Sequence, residues 1–183
     1  MPADGPWLTE SQLRTWVSLI AFLEVLPAAI DAQLRADLDV NRFEYSLLAM
    51  LSEEADETLV MSDLASVSFG SLSRLSHAVG RLEKRGWVER REDARSGRRR
   101  TTVSLTAAGR RAVVEVAPKH AAHVRSVLIE PLTDDDVSAL GTIARKLVAA
   151  ADPTRAAQLD ALLPAVVARN LGSATALNGE HAE

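Results

Sequence analysis

Cysteine is absent from this chain of 183 residues, and aromatic residues make up only 4% of it. Without thiols the protein can form no disulfide, thiolate metal site or thiol redox centre. The longest apolar run, residues 16–30, is interrupted by Ser18, Glu24 and Pro27, and we predict that it is too short to span a bilayer. The N-terminus also lacks the cationic start of a secretory signal. We therefore expect a cytoplasmic protein with no membrane partner.

Sequence motifs of catalysis are missing as well. The chain has no G-x-S-x-G elbow, no P-loop and no H-E-x-x-H pattern. Its acidic triplet, residues 134–136, follows Thr133, where negative charge favours the start of a helix. His120 and His123 lie three residues apart on a predicted helix, but no third metal ligand is recognisable. We expect neither an enzyme nor a protein that needs a cofactor or a metal.

Charge is distributed very unevenly along the chain. Residues 71–111 hold twelve Lys and Arg and four acids, a net charge of +8, whereas the whole chain carries −4, so the remainder carries −12. Such segregation favours a cationic surface that binds a polyanion. The alternative interpretation is a solvated surface without a binding partner, because most runs of charged residues only face solvent.

Apolar periodicity and helix caps divide the chain into four parts. We predict an N-terminal dimerisation helix in 1–38, a winged helix-turn-helix in 39–106, C-terminal helices in 107–170 and a disordered tail in 171–183. The first helix begins after Thr9, with Pro27 expected to kink it, and its apolar residues surround most of it, which favours a partner subunit. The predicted fold class is mainly α.

The DNA-binding part is predicted from a short helix capped by Ser62, a turn, a second helix over residues 72–85 and a basic hairpin. Leu72, Leu75, Val79 and Leu82 would pack inward. The candidate DNA-binding residues of the second helix are small, polar or cationic: Ser71, Ser73, Arg74, Ser76, His77 and Arg81. Arg74 is the candidate for a guanine contact, and Ser71 and Ser73 for phosphate. The candidates in the wing are Arg95, Arg98 and Arg99, beside Arg100.

These segments resemble the MarR family of transcriptional regulators. The matching motifs are S-x-S-R-L from Ser71, R-L-E-x-R-G-W-V from Arg81, a wing with paired arginines, and L-T-x-x-G-R from Leu105. The resemblance implies a homodimer in which the N-terminal helix and the dimerisation helices of 107–170 interleave. It further implies binding of double-stranded DNA at a pseudo-palindromic operator, usually as a repressor. It also implies a small, often aromatic effector bound between the dimerisation helices and the winged domain.

Four points stay open at this stage. The family's wing commonly has an aspartate before its paired arginines, where this chain has Gly97, so the arginine that is ordered at the wing tip is not determined. Trp16 and Phe22 are candidates for lining the effector site or are simply core residues. Activation is as compatible with the sequence as repression. The alternative function is an architectural or protein-interaction module without operator specificity.

Overall fold

The computed structural model describes residues 7–68, 70–93 and 100–179. Seven α-helices and three strands are formed by the described residues, and α5 continues into a π-helical stretch, Arg125–Ile129. The mainly helical winged helix-turn-helix predicted from the sequence is confirmed. In chain order the elements are α1 Glu10–Leu38, α2 Arg42–Glu53, β1 Thr58–Val60, α3 Met61–Val67, α4 Leu72–Lys84, β2 Val88–Asp93, β3 Arg100–Leu105, α5 Ala107–Val124, α6 Asp134–Ala151 and α7 Pro153–Gly179.

Side-chain caps fix where most helices begin. Thr9 and Gln12 form a reciprocal capping box at α1, and Asn41 and Glu44 form another at α2. The predicted cap at Ser62 is wrong, because β1 runs directly into α3 and Val60, which has no side-chain cap, occupies that position. Local capping chemistry therefore predicts helix starts unless a neighbouring strand fixes the backbone first.

The three strands form an antiparallel sheet in the order β1-β3-β2. Thr58 of β1 faces Ser104 of β3, and their hydroxyl groups are hydrogen-bonded at 2.8 Å. On the other side of β3, Val88 pairs with Leu105 and Asp93 with Arg100. The β2–β3 hairpin is the predicted wing, and β1 attaches it to the helix-turn-helix.

The hydrophobic core lies inside the winged domain, between the helices and one face of the sheet. Its fully buried leucines come from α1 through α4, and valines from the sheet and α5 complete it. The members with almost no exposed surface are Leu34, Leu47, Leu48, Leu51, Leu64, Leu75, Leu82, Val40, Val79, Val88, Val103 and Val116. This core holds α4 rigidly against the rest of the domain.

Most of α1 lies outside that core. Leu34 is its one buried residue, and α1 runs as one continuous helix through Pro27. By length and composition α1 is long and apolar enough to cross a membrane, so the prediction that its apolar run is too short is wrong. A helix that packs against another subunit meets the same criterion, so the apolar surface of α1 identifies no membrane by itself.

The C-terminal helix ends later than predicted. Asp152 caps it by accepting the backbone N–H of Arg155 at 3.0 Å, which places Pro153 in the first turn, where no amide proton is needed. The helix continues to Gly179, so the predicted disordered tail is wrong for residues 171–179, where alanine and leucine favour helix. Residues 180–183 of that prediction lie outside the described residues.

Candidate nucleic-acid interface

Helix α4 presents one long face to solvent. Leu75, Val79 and Leu82 are buried beneath it, as the periodicity predicts, and Ala78 is buried with them. Ser71 caps the helix by accepting the backbone N–H of Arg74 at 3.2 Å. The prediction that Leu72 packs inward is wrong: it stands at the first helical position, before the core-facing stripe begins, and is 63% exposed. The N-terminal end of α4 therefore combines an apolar side chain with small polar ones.

The face opposite the core carries the side chains best placed to meet a ligand. Ser73, His77 and Lys84 follow one another along this face at spacings of four and seven, with Gly80 between them. Ser71 and Ser76 are exposed beside this row. Sequence reasoning missed Lys84, although its spacing from Ser73 and His77 places it directly opposite the buried leucines.

Arg74 is exposed but has an internal contact. Its guanidinium carbon lies 4.2 Å from the centre of the Phe43 ring, at the start of α2, a distance that allows a cation–π interaction. Gly70 leaves room for that ring, because a Cβ at this position would lie 2.6 Å from it. The ring therefore supports Arg74 near the N-terminus of α4.

Arg81 and Arg85 extend the same edge of α4 and form ion pairs with the preceding elements. Arg81 Nε donates to Glu44 Oε1 of α2. At the C-terminal end of α1, Arg85 donates to Asp39 Oδ2 at 2.6 Å and to the Leu38 carbonyl at 3.2 Å. Arg74 and Arg81 therefore both reach toward α2, away from the side of α4 on which His77 lies.

The wing is tied to the opposite edge of α4. Arg90 of β2 lies 3.2 Å from the Glu83 carboxylate and donates to the Ser76 carbonyl at 3.3 Å. These contacts fix the base of the hairpin against the helix. The predicted tip residues Arg95, Arg98 and Arg99, together with Gly97, lie outside the described residues.

Two open cavities border α5 and its π-helical stretch. The larger, about 660 Å³, is lined by residues that include His120, Val124, Arg125 and Ile129. The smaller, about 370 Å³, is apolar and is lined by residues of α1 and by Val127. Phe22 belongs to the smaller cavity, whereas Trp16 lines neither of them.

His120 connects the larger cavity to two other helices. Its Nδ1 lies 2.9 Å from Gln33 Oε1 of α1, and its ring centre lies 4.6 Å from that of Tyr45. Burial, followed by the nearby His123, lowers the pKa of His120 below its ordinary value. Within the described ranges, no group of three His, Asp or Glu side chains is arranged to hold a metal ion.

Comparison with known proteins gives consistent results. The sequence profile of the MarR family matches residues 37–99. Sco3205, a MarR family transcriptional regulator from Streptomyces coelicolor solved in complex with DNA, is 34% identical, with a TM-score of 0.77 over 83% of this chain and 94% of its own. AbsC, a MarR family transcriptional regulator from the same organism, is 28% identical, with a TM-score of 0.73 over 79% and 96%.

A more distant structure shares the fold. NadR, solved in complex with 4-hydroxyphenylacetate, is 22% identical, with a TM-score of 0.56 over 80% of this chain and 97% of its own. No curated protein sequence matches the chain significantly.

Proposed function

Because this chain belongs to the MarR family of transcriptional regulators, we propose that it is a homodimeric, cytoplasmic repressor that a small aromatic ligand releases from a pseudo-palindromic operator. The observation that carries the proposal is the exposed N-terminal end of α4, which presents Ser71, Ser73 and Arg74 to solvent on the helix that also holds the base of the wing. A helix N-terminus with these side chains suits a major groove, with its amides near phosphate and a guanidinium near guanine. The DNA complex of Sco3205 supports this assignment.

The experiment that tests DNA recognition is selection of bound fragments from genomic DNA. A repressor of this kind enriches a recurrent inverted repeat with half-sites about one helical turn apart. Enrichment without a common site contradicts the proposal and supports an architectural module. Affinity for the selected site should fall steeply with salt, because cationic side chains displace counterions from several phosphates.

Dimerisation is supported by the apolar face of α1. Leu13, Trp16, Val17 and Leu23 are each at least half exposed and recur at helical spacing. A second copy of this face would bury them and hold two copies of α4 at a fixed separation.

A charge on that face should break the dimer. We expect Val17→Arg to give a monomer by light scattering and to lose operator binding. Thr15→Arg, on the side of α1 opposite Val17, is the matched control and should remain dimeric. Retention of the dimer by the Val17 variant would contradict this assembly.

The effector is assigned to the larger cavity. Val124 and Ile129 offer an apolar wall, and Arg125 offers a cation for a carboxylate. The NadR complex makes 4-hydroxyphenylacetate a reasonable first probe. Binding of 4-hydroxyphenylacetate should raise the melting temperature of the protein and release it from the operator. Arg125→Ala should weaken both effects, whereas Arg145→Ala, which changes a residue outside the cavity, should leave them unchanged. Equal responses of the two variants would remove Arg125 from the site.

A further inference from the structure

One carboxylate beneath α4 is buried without being part of the hydrophobic core. Glu44 in the first turn of α2 is 6% exposed. Its Oε2 accepts the backbone N–H of Asn41 at 3.0 Å, and its Oε1 accepts Nε of Arg81. A buried carboxylate needs both hydrogen-bond donors and a positive partner, and Arg81 supplies the charge.

We propose that Arg81 is a positioning residue that acts through Glu44, and that it holds the DNA-reading face of α4 in place instead of binding phosphate itself. This inference rests on the proposed function and deepens it. Residues 44 and 81 lie 37 positions apart in the sequence, so their contact fixes α4 to the capped end of α2. Any rotation or sliding of α4 would separate the pair.

The energetic asymmetry of the pair keeps Arg81 at Glu44. The Arg81 side chain is 54% exposed, so water can solvate it when it is unpaired. Glu44 is buried, so it would be left as an uncompensated charge if Arg81 turned to a phosphate. Arg81 therefore stays at Glu44 when DNA binds.

A neighbouring contact on the same edge of α4 acts in the same sense. Arg85, one turn further on, pairs with Asp39. At Arg81 and Arg85 the edge toward α2 is thus occupied by internal ion pairs. The row of Ser73, His77 and Lys84 remains directed at the solvent.

The two roles of Arg81 predict opposite results for Glu44→Gln. The glutamine can still accept the Asn41 N–H, but it no longer pairs with the arginine charge. If Arg81 acts through Glu44, operator affinity falls by about two- to thirtyfold, which is the usual range for contact networks of this kind. If Arg81 binds phosphate, removal of a competing negative charge leaves affinity unchanged or raises it.

Salt dependence and a double variant complete the test. Arg81→Met leaves a buried charge unpaired, so the double variant Glu44→Gln/Arg81→Met keeps the measurement possible should the single variant fail to fold. If Arg81 is a positioning residue, the double variant binds the operator with the same affinity as Glu44→Gln. Relative to the wild type, it loses more affinity for the operator than for random DNA. The slope of log K against log salt concentration stays at the wild-type value. A slope reduced by about one identifies a phosphate contact and overturns the proposal. Lys84→Ala, on the solvent-directed row, is the matched control expected to reduce that slope.

Failure of the inference is distinguishable from failure of the proposed function. Operator selection is carried out first with the wild-type protein. If the wild type selects no operator, the proposed function is refuted, but the positioning role of Arg81 is not. Hydrogen exchange without DNA still examines the pair, because α4 amides should exchange faster in Glu44→Gln than in Lys84→Ala. Equal exchange in both variants, like undiminished operator affinity of Glu44→Gln, would refute the positioning role.

Discussion

The joint between the wing and α5 depends on the absence of a side chain at Gly109. This residue lies in the first turn of α5, and its backbone N–H donates to the Thr106 hydroxyl at 3.1 Å. A Cβ placed there would lie 2.2 Å from the Trp87 carbonyl oxygen and 2.8 Å from Leu105 Cδ1. The carbonyl cannot turn away freely, because it accepts the Thr106 N–H at 2.9 Å.

Gly109→Ala should therefore destabilise the fold. Overpacking a close-packed site costs about 1–3 kcal/mol, and backbone contact places this site at the upper end, about 2–3 kcal/mol. For a chain of this size each kcal/mol lowers the melting temperature by about 2–4 °C, which predicts a decrease of about 4–12 °C. Gly141→Ala is the control, because nothing lies within 4 Å of the added carbon and alanine favours α6 by about 1 kcal/mol.

The assay is thermal unfolding of both variants at one protein concentration, since assembly makes the melting temperature concentration-dependent. The account requires the Gly109 variant to melt well below the wild type and the Gly141 variant to melt at or above it. A Gly109 variant as stable as the wild type would show that the wing and α5 are not packed as closely as described.

Two further outcomes follow from single side chains. Arg74→Ala should weaken operator binding by about 1–3 kcal/mol, which is the value of a guanine contact, and should weaken binding to a random duplex much less. Equal losses for the two duplexes in fluorescence anisotropy titrations would show that Arg74 does not read a base. The pKa of His120 is lowered in the folded protein, so below about pH 6.5 the unfolded chain binds more protons than the folded chain. The free energy of unfolding should therefore decrease as the pH decreases. Urea unfolding at several pH values should show a flatter profile for His120→Gln; an unchanged profile would assign the dependence to other groups.

Local chemistry explains what the sequence could predict. The boxes at Thr9 and Asn41 and the cap at Ser71 each involve residues three apart, so their patterns are visible in the sequence. Gly86 likewise marks the end of α4, and its φ of +72° is the left-handed conformation that glycine adopts without strain. The order of elements in the winged domain followed from such signals.

Long-range contacts explain what the sequence could not predict. The pairing of Arg81 with Glu44 joins elements whose separation in the chain gives no periodic signal, so the sequence alone makes Arg81 a DNA-binding candidate and does not reveal its partner. The exposure of Leu72 depends on where the core ends under α4, which packing decides. The smaller cavity likewise depends on how the π-helical stretch passes α1.

The central claim is that two copies of α4, held at a fixed separation, read two half-sites. Insertion of about five base pairs, half a helical turn, between the half-sites of the selected operator tests it most directly. The account predicts that this insertion abolishes specific binding, because it rotates one half-site to the far side of the duplex. An insertion of about ten base pairs should also fail to restore the original affinity, because the distance between the two half-sites has grown. Undiminished affinity for the five-base-pair insertion would contradict a rigid dimer reading a pseudo-palindrome.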